Sequence, residues 1–67
     1  MAELPLAPLK RIMKKAGGER VSDEAAEALR SEVEDQALQL AERAREYAQH
    51  AGRKTVQKED CKAACRE

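Results

Sequence analysis

Apolar residues recur at helical spacing in three segments of the chain, and glycine or polar residues separate these segments. The first segment, residues 8–16, begins with a proline, which suits the first turn of a helix. Its apolar side chains follow at steps of three or four, which predicts a short amphipathic helix. Gly17 and Gly18 should end it, because glycine takes the left-handed conformation of a helix end without steric cost.

The second segment is much longer than the first. Ser22 and Asp23 are good N-cap residues, and apolar residues then recur at steps of three or four with no breaker until Gly52. A helix of about 28 residues would be on the order of 40 Å long. After a loop at residues 52–55, Thr55 is placed to cap a third, short helix over about residues 56–66.

The order short, long, short has a consequence for assembly. Two helices of about ten residues cannot cover an apolar stripe that runs the whole length of a 40 Å helix. A second copy of the chain, crossing antiparallel at the middle of the long helix, would bury both stripes. The pattern therefore predicts an all-α, intertwined homodimer built from one domain, residues 1–67.

Composition supports the need for a partner. The chain has 67 residues, no Phe or Trp and one Tyr, and a domain of this size with so few large apolar side chains is marginally stable alone. The two cysteines, Cys61 and Cys65, cannot form a disulfide framework, so we expect a reduced protein. With no leader pattern and no apolar run of membrane-spanning length, we expect a cytoplasmic protein that does not enter a membrane.

Charge is balanced overall but unevenly distributed. Thirteen basic and thirteen acidic residues give a net charge of zero. This balance by itself argues against nucleic-acid binding, because nucleic-acid binders usually carry an excess of basic residues. Residues 1–22 nevertheless carry five basic and two acidic residues, and residues 52–58 carry three basic residues and no acid. Residues 23–51 hold eight acids and three arginines. Positive charge is thus concentrated in two short segments.

Other chemistry finds little support in the sequence. Cys61 and Cys65 could be combined with His50 and Asp60 as metal ligands, but the spacing lacks the paired knuckles of zinc sites, so we expect no metal. The cysteines are better explained as replacements for aliphatic core residues on the third helix. No nucleophile and base are arranged for catalysis, and Tyr47 alone is no platform for single-stranded bases. We expect no enzyme, cofactor or small-molecule substrate.

Three blocks of sequence resemble a known family. They are residues 3–9 (ELPLAPL), residues 16–22 (AGGERVS) and residues 48–56 (AQHAGRKTV) with Glu59 and Asp60 after them. Together they resemble archaeal histones over essentially the whole chain. The resemblance implies the histone fold, in which two chains form a handshake dimer and one loop of each chain lies beside the other loop of its partner.

The resemblance also implies roles for individual residues. DNA phosphates and the minor groove would be contacted by Arg11, Lys14, Arg20, Ser22, Arg53, Lys54 and Thr55. Arg53 and Asp60 would form a structural ion pair. Contacts that join dimers into tetramers or longer stacks would be made by Tyr47, His50, Asp60 and Ala63, although Ala63 is smaller than the aliphatic residue common there.

Together these features predict a chromatin protein associated with the nucleoid. It would bind double-stranded DNA without reading bases, and would bend, wrap or compact it. The alternative is a histone-fold interaction module that forms half of a heterodimer and binds little or no DNA. The joint presence of Arg20, Arg53, Lys54 and Thr55 favours DNA, because a pure interaction module has no need for basic loops.

Overall fold

The computed structural model describes residues 3–67, and all regular structure among them is helical. Helix α1 spans Leu6–Lys15, helix α2 spans Asp23–His50 and helix α3 spans Lys58–Cys65. The predicted order of a short, a long and a short helix is confirmed. None of these helices combines the length and the apolar character needed to cross a membrane.

Two helices begin at other residues than the sequence predicts. Helix α1 starts at Leu6 with Pro5 as its N-cap, so Pro8 is the third helical residue rather than the first. A proline fits there because the first four amides of a helix have no partner within it. Helix α3 starts after Gln57 rather than after Thr55. Its first turn is fixed by the Asp60 carboxylate, which accepts a hydrogen bond from the Gln57 N–H at 2.8 Å.

Glycine ends both α1 and α2 in the same way. Gly52 has φ +73°, and its N–H donates to the Gln49 carbonyl at 2.9 Å, while the Arg53 N–H donates to the Ala48 carbonyl at 2.9 Å. These two bonds form a Schellman motif, which satisfies carbonyls that have no helical partner. Gly17, with φ +110°, closes α1 by the equivalent pair of bonds. The two loops therefore start from the same local geometry.

The chain divides into two compact units, Met1–Asp35 and Gln36–Glu67. Within the described part of the first unit, Leu9 of α1 and Ala26 of α2 are buried. In the second unit, the buried apolar residues are Ala44, Ala48 and Ala64. The core thus consists mainly of alanine, and each buried alanine removes little apolar surface from water.

Five large apolar side chains remain exposed among the described residues. They are Leu4, Ile12, Leu38, Tyr47 and Val56, with Ile12 the most exposed at 57%. The cysteines behave in the same way: Cys61 and Cys65 are exposed and free, so their expected place in the core is not observed in the single chain. Helix α3 buries Ala64 and Asp60 instead, and Cys61 and Cys65 each follow one of these residues by one position, about 100° around the helix.

Glu34 is a buried carboxylate that ties the N-terminal segment to α2. Only 4% of the residue is exposed, and its Oε2 accepts hydrogen bonds from the backbone N–H groups of Glu3 and Leu4, the latter at 2.7 Å. The bond from Leu4, supported by the one from Glu3, lowers the pKa of Glu34 against the opposing effect of burial. The carboxylate therefore remains ionised and fixes residues 3 and 4 ahead of α1.

Candidate nucleic-acid interface

A groove of about 520 Å³ lies between α1 and the loop that follows it. Six residues line it, and three of them are cations: Lys10, Lys14, Glu19, Arg20, Val21 and Ser22. Only one acid, Glu19, is among them. Three cations around one groove form a site that suits an anion, and phosphate is one of the anions that lysine and arginine side chains bind.

Local structure places each cation at this groove. Lys10 and Lys14 are four residues apart on α1, so they share one helix face. The Ser22 hydroxyl accepts a hydrogen bond from the Ala25 N–H at 3.0 Å and caps α2. The groove therefore ends at the N-terminus of a 28-residue helix, where the helix dipole adds partial positive charge.

The structure brings together three of the four first-unit residues to which the family resemblance gives a role in DNA binding. Lys14, Arg20 and Ser22 line the groove, whereas Arg11 does not. Arg11 is exposed, and it lies about 100° around α1 from its neighbour Lys10. Lys10 lies in the groove but was missed by the sequence reasoning. Its spacing of four from Lys14 is the signal that could have identified it.

Lys10 also forms an ion pair with Asp23 in the first turn of α2. The side chain of Lys10 is 33% exposed and that of Asp23 is 68% exposed. A hydrogen bond from Lys10, and then its positive charge, lower the pKa of Asp23. One of the three cations in the groove is therefore already engaged by an acid of the same chain.

The second loop is organised around Arg53. Its two terminal nitrogens donate to the two carboxylate oxygens of Asp60, both at 2.8 Å, and one of them also donates to the Thr55 carbonyl at 3.2 Å. Hydrogen bonds from Arg53 and from the Gln57 N–H lower the pKa of Asp60, and the bond to Asp60 raises the pKa of Arg53. These contacts hold the loop against the first turn of α3.

Arg53 is therefore placed differently from its neighbours. Its side chain is 31% exposed and that of Asp60 is 5% exposed, whereas Lys54 and Thr55 are exposed. The guanidinium uses two of its nitrogens within the loop. The side chains of Lys54 and Thr55 are therefore open to a ligand.

The four residues expected to join dimers do not form one group in the single chain. Tyr47 and His50 line a groove of about 240 Å³ together with Glu46 and Glu67. An interaction between its hydroxyl and the Glu67 carboxylate raises the pKa of Tyr47, with burial and the negative charge adding to the effect. Asp60 is buried in its ion pair with Arg53 and does not line this groove.

Ala63, the fourth of those residues, is half-buried on α3. The candidate metal ligands are also dispersed: no three His, Cys, Asp or Glu side chains are grouped as a metal would require within residues 3–67. The carboxylate of Asp60, which such a site would need, is held by Arg53 and Gln57. The described residues that suit an anionic ligand are therefore the cations of the first groove and the exposed Lys54 of the second loop.

Comparisons with known proteins point to one family. Residues 2–65 match the profile of the family described as histone-like transcription factor (CBF/NF-Y) and archaeal histone. The chain is 53% identical over 64 residues to a subunit of the archaeal histone HAN1 from Thermococcus zilligii, covering 96% of each chain. It is 52% identical over 66 residues to probable archaeal histone 3 of Methanocaldococcus jannaschii, covering 98% of each.

These similarities extend over nearly the whole chain, so the three helices described above are those of a histone fold. They include both loops and α1, where the groove lies, and not only the alanine-rich middle of α2. Histones are structural proteins that package DNA and are not enzymes. The chain belongs to the family of histone-like transcription factors and archaeal histones.

Proposed function

We propose that this protein binds double-stranded DNA without base specificity, as a homodimer, and that the groove between α1 and the first loop is its main phosphate site. The observation that supports this most directly is the convergence of Lys10, Lys14 and Arg20 on one groove at the N-terminus of α2. Backbone amides and a helix dipole at that position favour an anion. Contacts of this kind fix a protein on the duplex but carry no sequence information.

The second loop would add phosphate contacts. Lys54 and Thr55 are exposed and provide a charged donor and a hydroxyl. Arg53 would act mainly by holding them in place through its bonds to Asp60, with its remaining N–H groups available to a phosphate. From the family resemblance, Arg20 would reach into the minor groove and Arg11 would contact the backbone nearby.

A second copy of the chain is the partner that the exposed apolar residues require. Leu38 on α2 and Val56 before α3 are 49% and 44% exposed, and small single domains of this composition are marginally stable. A homodimer would cover such residues and double the number of phosphate sites. Dimers could then join through the Tyr47 and His50 region and bend or compact DNA, which would place the protein on the chromosome in the cytoplasm.

The zero net charge is compatible with this function because phosphates respond to the local arrangement of charges. The eight acids of residues 23–51 still repel DNA beyond the contact region, which reduces affinity. Each phosphate contact releases counterions, so affinity should fall steeply as salt rises. We therefore expect binding that is clear at low salt and weak at high salt.

A mobility-shift titration on several unrelated duplexes tests the proposal. The affinity should be similar for all of them, and its logarithm should fall linearly with the logarithm of the salt concentration. Lys14→Gln and Arg20→Gln should each reduce affinity alike on every duplex. Lys62→Gln, which removes a charge of α3 outside both loops, is the matched control and should have a smaller effect.

The alternative, an interaction module without DNA binding, makes the opposite prediction. The acid-rich residues 23–51 are the observation in its favour, and the name of the Thermococcus zilligii relative describes that protein as one subunit of a histone. If no duplex is shifted at low salt while the protein is folded, the DNA proposal fails. A loss of affinity on some duplexes but not on others, in the Lys14 and Arg20 variants, would contradict the phosphate mechanism.

A further inference from the structure

We propose that Asp23 competes with DNA for Lys10, and that phosphate displaces Asp23 from Lys10 when the groove is occupied. Lys10 would then contact DNA only once Asp23 has released it, and Asp23 would set the affinity of the groove from within the chain. This inference rests on the proposed function, since it concerns the same groove. It assigns roles to two residues that the family resemblance leaves without one.

The position of Lys10 supports the first part of the inference. Lys10 lines the groove with Lys14 and Arg20, and its distance of four residues from Lys14 places both on the same face of α1. A phosphate held by Lys14 and Arg20 would therefore lie within the reach of Lys10. The ammonium group provides three donors on a flexible stem, so it can change partners without movement of the backbone.

The position of Asp23 supports the second part. It follows Ser22, which lines the groove, and it lies in the first turn of α2. Its side chain is 68% exposed, while that of Lys10 is 33% exposed. An ion pair this open to water is weak, because water screens the attraction and two side chains lose mobility to form it. A duplex phosphate gains in addition from counterion release, so it should win the exchange at low salt.

A purely structural role is the competing explanation. The pair connects α1 with the start of α2, and an acid in the first turn also interacts favourably with the helix dipole. A structural brace would affect thermal stability but would leave the salt dependence of DNA binding unchanged. The slope of log affinity against log salt therefore separates the two explanations, because it reflects the number of phosphates that the protein neutralises.

The experiment compares four single variants of the full-length protein on one duplex over a range of salt. Asp23→Asn releases Lys10, and Glu24→Gln removes an equal charge from the neighbouring acid of the same turn. Lys10→Gln removes the proposed phosphate ligand, and Lys15→Gln removes an equal charge from α1 outside the groove. Circular dichroism confirms that each variant is folded, and Asp23→Ser replaces Asp23→Asn if the latter is not.

Asp23→Asn should bind about two- to five-fold more tightly than Glu24→Gln, which corresponds to the strength of an exposed ion pair. Lys10→Gln should bind more weakly than Lys15→Gln, with a salt slope smaller by about 0.9 for each phosphate that Lys10 neutralises in the unaltered protein. When Lys10→Gln is also present, Asp23→Asn should no longer increase the affinity for DNA appreciably. This double variant shows whether Asp23 acts through Lys10.

Equal affinities for Asp23→Asn and Glu24→Gln would overturn the inference, as would equal salt slopes for Lys10→Gln and Lys15→Gln. If the unaltered protein binds the duplex and the variants behave in that way, the phosphate contact of Lys10 or its competition with Asp23 is refuted, whereas DNA binding through Lys14 and Arg20 is not. If the unaltered protein does not bind at low salt, the proposed function fails and the inference fails with it. The two failures are therefore distinguishable.

Discussion

At the scale of single residues, Asp60 is the most highly constrained acid near the second loop. Its carboxylate accepts hydrogen bonds from two nitrogens of Arg53 and from the Gln57 N–H, and the residue is buried. A buried carboxylate is stable only when its charge is compensated in this way. Asp60 therefore joins the loop that carries Lys54 and Thr55 to the start of α3.

Replacement of Asp60 by asparagine should destabilise the protein and loosen the loop, because Arg53 loses its charged partner. Glu59→Gln, at the exposed neighbouring acid, should have a much smaller effect. The pKa of Asp60 is lowered in the folded chain, so the stabilisation is complete above the unfolded pKa of about 4 and is lost progressively as pH falls from there through the lower folded pKa. Urea unfolding as a function of pH measures the difference between the variants, which should narrow in acid.

An unchanged gap between the wild type and Asp60→Asn below that pH would contradict this account. The sequence alone could indicate the pair through the family resemblance, but it could not show that Arg53 is occupied. In the sequence, Arg53 is one of the loop residues that favour DNA binding. Its hydrogen bonds to Asp60 show that it also has a structural role, which would be needed even in a protein that binds no DNA. DNA binding is therefore supported mainly by Lys14 and Arg20.

Lys10 illustrates what residue patterns could and could not reveal. The spacing of four between Lys10 and Lys14 is visible in the sequence and predicts a shared face. The ion pair of Lys10 with Asp23 joins residues that are 13 positions apart, on two helices separated by a loop. Its formation depends on the path of that loop, which follows from the turn at Gly17 and cannot be read from residue spacing.

At the scale of helices, the ends marked by glycine were predicted better than the beginnings. Gly17 and Gly52 determine the C-termini because a positive φ suits glycine best. The predicted start of α1 is two residues too late, because Pro5 and Pro8 both suit a helix start. The predicted start of α3 is two residues too early, because Thr55 and Gln57 both precede acids. Only the bond from Gln57 to Asp60 decides the second case.

Ser22 links the stability of α2 to the groove, so its replacement gives a prediction at this scale. Ser22→Ala removes the hydrogen bond to the Ala25 N–H and should lower the free energy of unfolding by about 1 kcal/mol. Ser22→Thr should retain most of the stability, because threonine also caps helices. Urea unfolding monitored by the helical circular dichroism signal provides the measurement.

Ser31→Ala is the control for this prediction. Ser31 is exposed within α2, where alanine is the better helix former, so this variant should be neutral or slightly stabilising. If Ser22→Ala and Ser31→Ala have the same effect, the Ser22 hydroxyl does not cap α2. The start of α2 at Asp23, beside the groove, would then need another explanation.

At the scale of the whole molecule, the chain buries small residues and exposes large ones. The buried apolar residues are one leucine and four alanines, whereas Ile12, Leu38 and Val56 remain exposed among residues 3–67. Helix lengths alone predicted that a second chain is needed. Helix lengths could not identify which side chains stay uncovered, because the sequence does not show which part of the apolar stripe the two short helices of the same chain cover.

Leu38 provides the test of the dimer. Its side chain is half-exposed on α2, and full burial of a leucine contributes about 1.5–3 kcal/mol. If a second copy covers it, Leu38→Glu should weaken the dimer by about 1 kcal/mol or more for each chain. Gln39→Glu adds the same charge at the next, exposed position and should leave the dimer largely intact.

Two measurements decide the question. Light scattering should give about twice the chain mass of 7.5 kDa, or a multiple of it, for the unaltered protein. The midpoint of thermal unfolding should rise with protein concentration, because dissociation accompanies unfolding of a dimer. A folded monomer whose midpoint is independent of concentration, or equal behaviour of Leu38→Glu and Gln39→Glu, would refute the homodimer and leave each chain with a single phosphate groove.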